Sequence, residues 1–173
     1  MNTAYVYLQL YRLFDTVTPI PADCGKLCAN ACCKGTENGM YLFPGEQKVY
    51  ELLNPSWITI ERSNFTYNYD GKTYHVPLAL CNGHCDRYQR PLACRIFPLT
   101  PYLDQKNQLS VLIDPRSKPV CPLAKALSVK ELDPLFVQNV EKTFRLLCKN
   151  KQVFAFLKEY SNYLDGFRKF FNE

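Results

Sequence analysis

The chain has 173 residues, 47% of them hydrophobic, with nine cysteines and a formal net charge of +5. A chain of this length buries a core without covalent staples, so its thiols are not needed as the disulfide framework of a very small secreted fold. The charge is spread rather than blocked, which points away from nucleic acid, and no run of about 18 apolar residues is present to span a membrane.

Residues 3–17 are expected to be helical. Val6, Leu10, Leu13, Phe14 and Val17 fall at helical spacing as one buried stripe, with Tyr5, Tyr7 and Tyr11 on the other side. The N-terminus has no basic n-region, and Arg12 and Asp15 interrupt its apolar stretch, so it does not read as a secretory leader. The expected compartment is the cytoplasm, where clustered thiols stay reduced and serve metal or redox chemistry. Pro19 and Pro21 give an extended entry into Cys24, Cys28, Cys32 and Cys33, four thiols within ten residues. A loop follows, punctuated by Gly35, Gly39 and Gly45, with one short strand at Tyr41–Phe43 and a helical turn over Lys48–Leu53.

Residues 57–78 read as a strand meander, from Trp57–Ile60 through Phe65–Tyr69 and Thr73–Val76. Asp70-Gly71-Lys72 marks a hairpin, because that turn needs positive φ. Cys81, Cys85, Cys94 and Cys121 lie in and beyond the segment that follows, with a further strand at Leu109–Ile113. The last third is helical. Its start is either a capping box at Ser128–Glu131 or Asp133 as N-cap with Pro134 at the first position. Val137, Val140, Phe144 and Leu147 form one apolar face. Val153, Phe156, Leu157, Tyr160, Leu164, Phe167 and Phe171 form another, with Gly166 as a point of kinking. The expected architecture is a single α+β domain over residues 1–173. A small, irregular, metal-stapled core covers about 19–122, with a hairpin and helices from both termini packed around it, and a helical part covers about 123–173.

Thiolates are soft ligands suited to zinc and to iron–sulfur clusters, and each such centre takes four. Setting aside Cys148, which lies on the apolar face of a helix and reads as a small buried hydrophobe, leaves eight candidate metal ligands: Cys24, Cys28, Cys32, Cys33, Cys81, Cys85, Cys94 and Cys121. On a helix, Cys24, Cys28 and Cys32 share one face, and Cys33 points about 100° away from Cys32. Adjacent side chains also diverge in an extended chain. Either two centres lie back to back at Cys32 and Cys33, or one of the pair is not a ligand. His84, beside Cys85, is an alternative ligand, and His75 belongs to the hairpin surface.

The group Cys24, Cys28, Cys32 and Cys33, followed by Cys81, Cys85, Tyr88, Arg90-Pro91, Cys94-Arg95 and Phe97-Pro98, resembles the YkgJ-like cysteine-cluster family, described as a zinc- or iron-chelating domain. The resemblance covers about residues 24–98, with Cys121-Pro122 as a further member, and implies metal binding. A related branch, the flagellin lysine N-methylases, implies an alternative: a metal-dependent enzyme of group transfer or redox. This chain is much shorter than those enzymes. A third alternative is a disulfide-bearing protein without metal. Arg90 and Arg95 are expected beside the thiolates, offsetting their negative charge, with Arg95 alternatively in a surface ion pair. Pro91 and Pro98 direct the chain past Cys94, and Phe97 shields the site. The x3 gaps, the adjacent Cys32 and Cys33 and the Cys121-Pro122 step favour iron–sulfur over zinc. No catalytic acid–base pair or phosphate-binding glycine loop is recognisable, and the partner is left open, with a protein partner as one alternative.

Overall fold

A computed structural model describes residues 3–34, 39–83 and 85–170. The fold is α+β, with helices around two small antiparallel sheets. Among the described residues no helix is long and apolar enough to cross a membrane. His84, Phe171 and Gly35 lie outside the described residues.

The first helix, α1 (Thr3–Arg12), is shorter than its apolar pattern suggests and presents a different face. Ala4, Tyr7, Leu10, Tyr11 and Phe14 are buried, whereas Leu13 is 43% exposed. The tyrosines go inward because their hydroxyls find buried partners. Tyr7 Oη donates to the Pro44 carbonyl at 3.1 Å and Tyr11 Oη to Glu46 Oε1 at 2.7 Å. Tyr5 stays out. A short helix, α2 (Cys24–Cys28), and a 3₁₀ turn over Ala31–Cys33 follow. The short strand β1 covers Gly39–Tyr41, two residues earlier than its sequence pattern, and α3 covers Gln47–Leu53.

The three β-prone runs between residues 57 and 76 make two long strands rather than a meander. β2 (Ile58–Tyr69) takes in the first two runs, with its register shifting between Arg62 and Thr66, and β3 is Lys72–Cys81. They join at Asp70 (φ 50°) and Gly71 (φ 69°), the two-residue positive-φ turn that Asp-Gly favours. β1 pairs with β3, giving the order β1-β3-β2. Strand β3 therefore delivers Cys81 at its end, opposite Ile58.

A second hairpin pairs β4 (Leu99–Leu103) with β5 (Leu109–Ile113). It follows the short helix α4 (Leu92–Ile96), and α5 (Pro122–Ala126) comes after it. The capping box at Ser128 and Glu131 is present but closes only a 3₁₀ turn. The long helix α6 (Pro134–Leu147) starts from Asp133, whose carboxylate accepts from the N–H groups of Leu135 and Phe136. Helix α7 (Lys151–Phe170) runs on past Gly166, whose missing side chain faces open space. One hydrophobic core extends from Ala4 to Leu164. At its centre Phe43 meets Phe144 and Phe156, with ring centroids 4.9 and 5.7 Å apart. Cys148 caps α6 and packs partly buried against this core, remote in sequence from the other thiols.

Candidate metal centre

The Cys24–Cys33 segment is folded by its own short-range bonds. Asp23 caps α2 by accepting from the Gly25 N–H at 3.1 Å. Ala29 (φ 49°) and Asn30 (φ 57°) are both left-handed, which ends α2 and turns the chain into the 3₁₀ turn bearing Cys32 and Cys33. A Cβ at Gly25 meets the Asn30 side-chain oxygen, so a larger residue there displaces that side chain. Cys28 Sγ points back along α2, 3.7 Å from the Cys24 carbonyl.

The downstream thiols come from three further places. Cys81 ends β3, and its sulfur accepts from the Gly83 N–H at 3.4 Å. A Cβ on Gly83 lies 3.3 Å from the Cys33 carbonyl, so here the two cysteine segments touch, backbone to backbone. Cys85 accepts from Arg90 Nε at 3.0 Å. Cys94 sits in the middle of α4, and buried Cys121 precedes Pro122 as the N-cap of α5.

Electrostatic neighbours link the thiols in two runs that meet at Cys32 and Cys33. Burial raises the Cys24 thiol, and Cys121 and Cys28 raise it further. Cys32 is raised by its hydrogen bond to Cys33, by burial, and by the thiols of Cys33, Cys28 and Cys24. On the other side, burial raises Cys81 and Cys94. Cys85 and Cys33 lie beside both. Cys33 is held below the ordinary thiol range by the bond from Cys32, with Arg90 acting the same way. Sequence geometry expects the two adjacent side chains to diverge. The 3₁₀ turn instead leaves their sulfurs 3.8 Å apart, while their other neighbours differ. All nine thiols are free. Cys32, Cys33, Cys81, Cys85 and Cys94 line one chamber of about 350 Å³, with Arg90, Trp57 and Phe97 in its wall. Among the described residues, no three His, Cys, Asp or Glu side chains close on a common point at metal-binding distance.

The two arginines take different places. Arg90 stays protonated beside Cys85, Cys33 and Cys94, whose attraction outweighs its burial. Arg95 is 8% exposed and directs its guanidinium away from the sulfurs. It donates to the carbonyls of Arg90, Tyr11 and Arg87, pairs with Asp15 at 2.9 Å, and lies 4.4 Å over the Tyr11 ring. Arg95 is thus neither at the thiols nor in a surface ion pair. It ties the Arg87–Cys94 segment to α1. His75 is exposed, with Nδ1 3.0 Å from the Ser63 carbonyl, and stands in the hairpin as expected.

Glu46 lies near the cysteine motifs in sequence, which by itself gives it no role, and it is completely buried. Its Oε1 accepts from the Leu92 N–H at 2.6 Å and from Tyr11 Oη, and its Oε2 from the Phe43 N–H at 3.0 Å. Burial raises its pKa, and these three donors and Arg95 pull it back only in part. The Leu92 bond anchors the first residue of the helix that carries Cys94. A local signal does exist, since Pro44-Gly45-Glu46 is a turn entering a helix, but the partner 46 residues away leaves no mark in it. No family model matches the chain, and no curated protein or solved structure matches it either.

Proposed function

We propose that the chain is a metal-binding protein with two four-thiolate centres, Cys33, Cys81, Cys85 and Cys94 forming one and Cys24, Cys28, Cys32 and Cys121 the other. Iron–sulfur clusters are favoured over zinc. The observation that carries this reading is the gathering of thiols from separate chain segments: Cys32, Cys33, Cys81, Cys85 and Cys94 line one chamber, Cys24 and Cys28 neighbour Cys32, Cys121 neighbours Cys24, and Cys148 is not among them. Four soft thiolates suit either metal, and Arg90 beside Cys85 supplies the cation that a thiolate-rich centre needs. Ligation would draw these sulfurs together, so a bound metal would also order the Cys24–Cys33 and Cys81–Cys94 segments.

Anaerobic purification tests the proposal. The expected preparation is brown, absorbs broadly at about 400 nm and contains iron and acid-labile sulfide in about equal amounts. Cys28→Ser and Cys81→Ser each remove roughly half of the iron, the double variant removes nearly all, and Cys148→Ala removes none. A colourless anaerobic protein with stoichiometric zinc, resisting reconstitution with iron and sulfide, replaces the clusters by zinc. A protein that takes up neither metal overturns the proposal.

A further inference from the structure

The sulfurs of Cys32 and Cys33 stand 3.8 Å apart, and both residues line the thiol chamber. Both thiols are free, and Cys32 is exposed to solvent. The 3₁₀ turn over Ala31–Cys33 brings them together. Its N-cap Asn30 is left-handed and accepts from the Cys33 N–H at 2.8 Å, which fixes the backbone that carries the pair. A direct bond between the sulfurs fits poorly there. Adjacent Cα atoms are about 3.8 Å apart, short of the about 4.4–6.8 Å that an ordinary disulfide spans. A soft atom between the sulfurs fits well, since bonds of about 2.3 Å at about 100–110° hold two sulfurs about 3.5–3.8 Å apart. The same chamber offers an apolar wall of Met40, Trp57, Ile58, Ala79 and Phe97.

We infer that Cys32 and Cys33 form a two-thiolate site for a trivalent arsenical that carries one organic group. Such an arsenical takes two thiolates and has carbon at its third position, so this pair alone satisfies it, whereas zinc and iron–sulfur clusters take four. The step needs no oxidant. Two S–H and two As–O bonds break, two As–S and two O–H bonds form, and two molecules of water leave, with arsenic trivalent throughout. The product is uncharged, so it occupies an apolar chamber without the desolvation cost of an ion. Its organic group lies against Trp57 and Phe97, and an aryl group covers more of that wall than a methyl group does. The site does not rest on the metal reading, and its failure leaves that reading untouched. A metal held by either sulfur competes with the arsenical, so the pair is tested with metal removed.

The probes are phenylarsine oxide and methylarsonous acid, titrated into the reduced full-length chain after dialysis against a chelator. Trp57, the sole tryptophan, lines the chamber and reports binding through its fluorescence. Intact mass should show a single phenylarsenic adduct per chain, and peptide mapping should show Cys32 and Cys33 protected together from alkylation. Cys32→Ser and Cys33→Ser should each weaken binding about a hundredfold, because the second, linked bond is lost. Cys148→Ala should leave it unchanged. The methyl probe should bind about tenfold or more weakly, because it leaves the apolar wall uncovered. Undiminished affinity in either serine variant overturns the proposal, as does protection of a different pair of cysteines. Equal affinity for the two probes, or no binding at micromolar concentration, overturns it too.

Discussion

Replacing Glu46 by alanine strips three hydrogen bonds from a completely buried carboxylate and leaves the Leu92 N–H, the Phe43 N–H and Tyr11 Oη facing a cavity. Bonds to a charged group contribute about 1.5–3 kcal/mol each. Against that sum stands the relief of an unfavourable burial, which the raised pKa of Glu46 records. The net loss is about 3–5 kcal/mol, roughly a third of the stability of an ordinary domain. Glu46→Gln separates the contributions. With its oxygen at the Oε1 position it keeps the bonds from Tyr11 and Leu92 but sets an amide N–H against that of Phe43, for a loss of about 2 kcal/mol. Urea unfolding of the reduced protein, at fixed metal content, reads both. With a slope of about 2 kcal/mol per molar, the midpoint falls by about 2 M for Glu46→Ala and about 1 M for Glu46→Gln. A shift under about 0.5 M for the alanine variant refutes the idea that Glu46 holds α3, α1 and the Cys94 helix together. Equal losses in the two variants refute the bond-by-bond account, because then the number of accepted bonds does not matter.

Three further outcomes are expected. Cys148→Ala keeps the full metal content and costs about 1 kcal/mol as a small core truncation; loss of metal in that variant places Cys148 among the ligands. Burial pushes the Cys148 thiol up to about 11. Between the ordinary thiol value and 11 the folded protein therefore holds a proton that the unfolded chain has released, so stability from this group is lost as pH rises through that window. Alkylation of Cys148 in the folded protein should follow the same high midpoint in a pH series read by mass spectrometry, and a midpoint near that of an unfolded thiol contradicts it. Chelation should speed amide exchange across residues 24–33 and 81–121 while α6 and α7 stay protected, and unchanged protection in residues 81–98 argues against a centre that staples these segments.

Local chemistry was legible wherever the backbone itself imposes the answer. Asp70-Gly71 makes its hairpin because those two residues tolerate positive φ. Asp133-Pro134 starts α6 because the cap and the missing N–H both suit a helix N-terminus. The concentration of thiols likewise marks the candidate site without any coordinates. What depends on distant partners was not legible. Apolar periodicity put Val6 and Leu13 inward on α1, yet Tyr7 and Tyr11 are the buried ones, because Pro44 and Glu46 wait more than 30 residues away to accept from them. The Cys94-Arg95 pair suggested that Arg95 serves the sulfurs, whereas three carbonyls and Asp15 hold it elsewhere. Helix α4 and strand β4 gave no clear pattern, since both are short and almost wholly buried, so neither shows an alternating or helical face. The order of the cysteines says that nine thiols are present and that eight of them fall outside the C-terminal helices. Which of them become neighbours is decided by the end of β3 and by α4 meeting the turn at Cys32 and Cys33, a contact between segments whose separation in sequence carries no record of it.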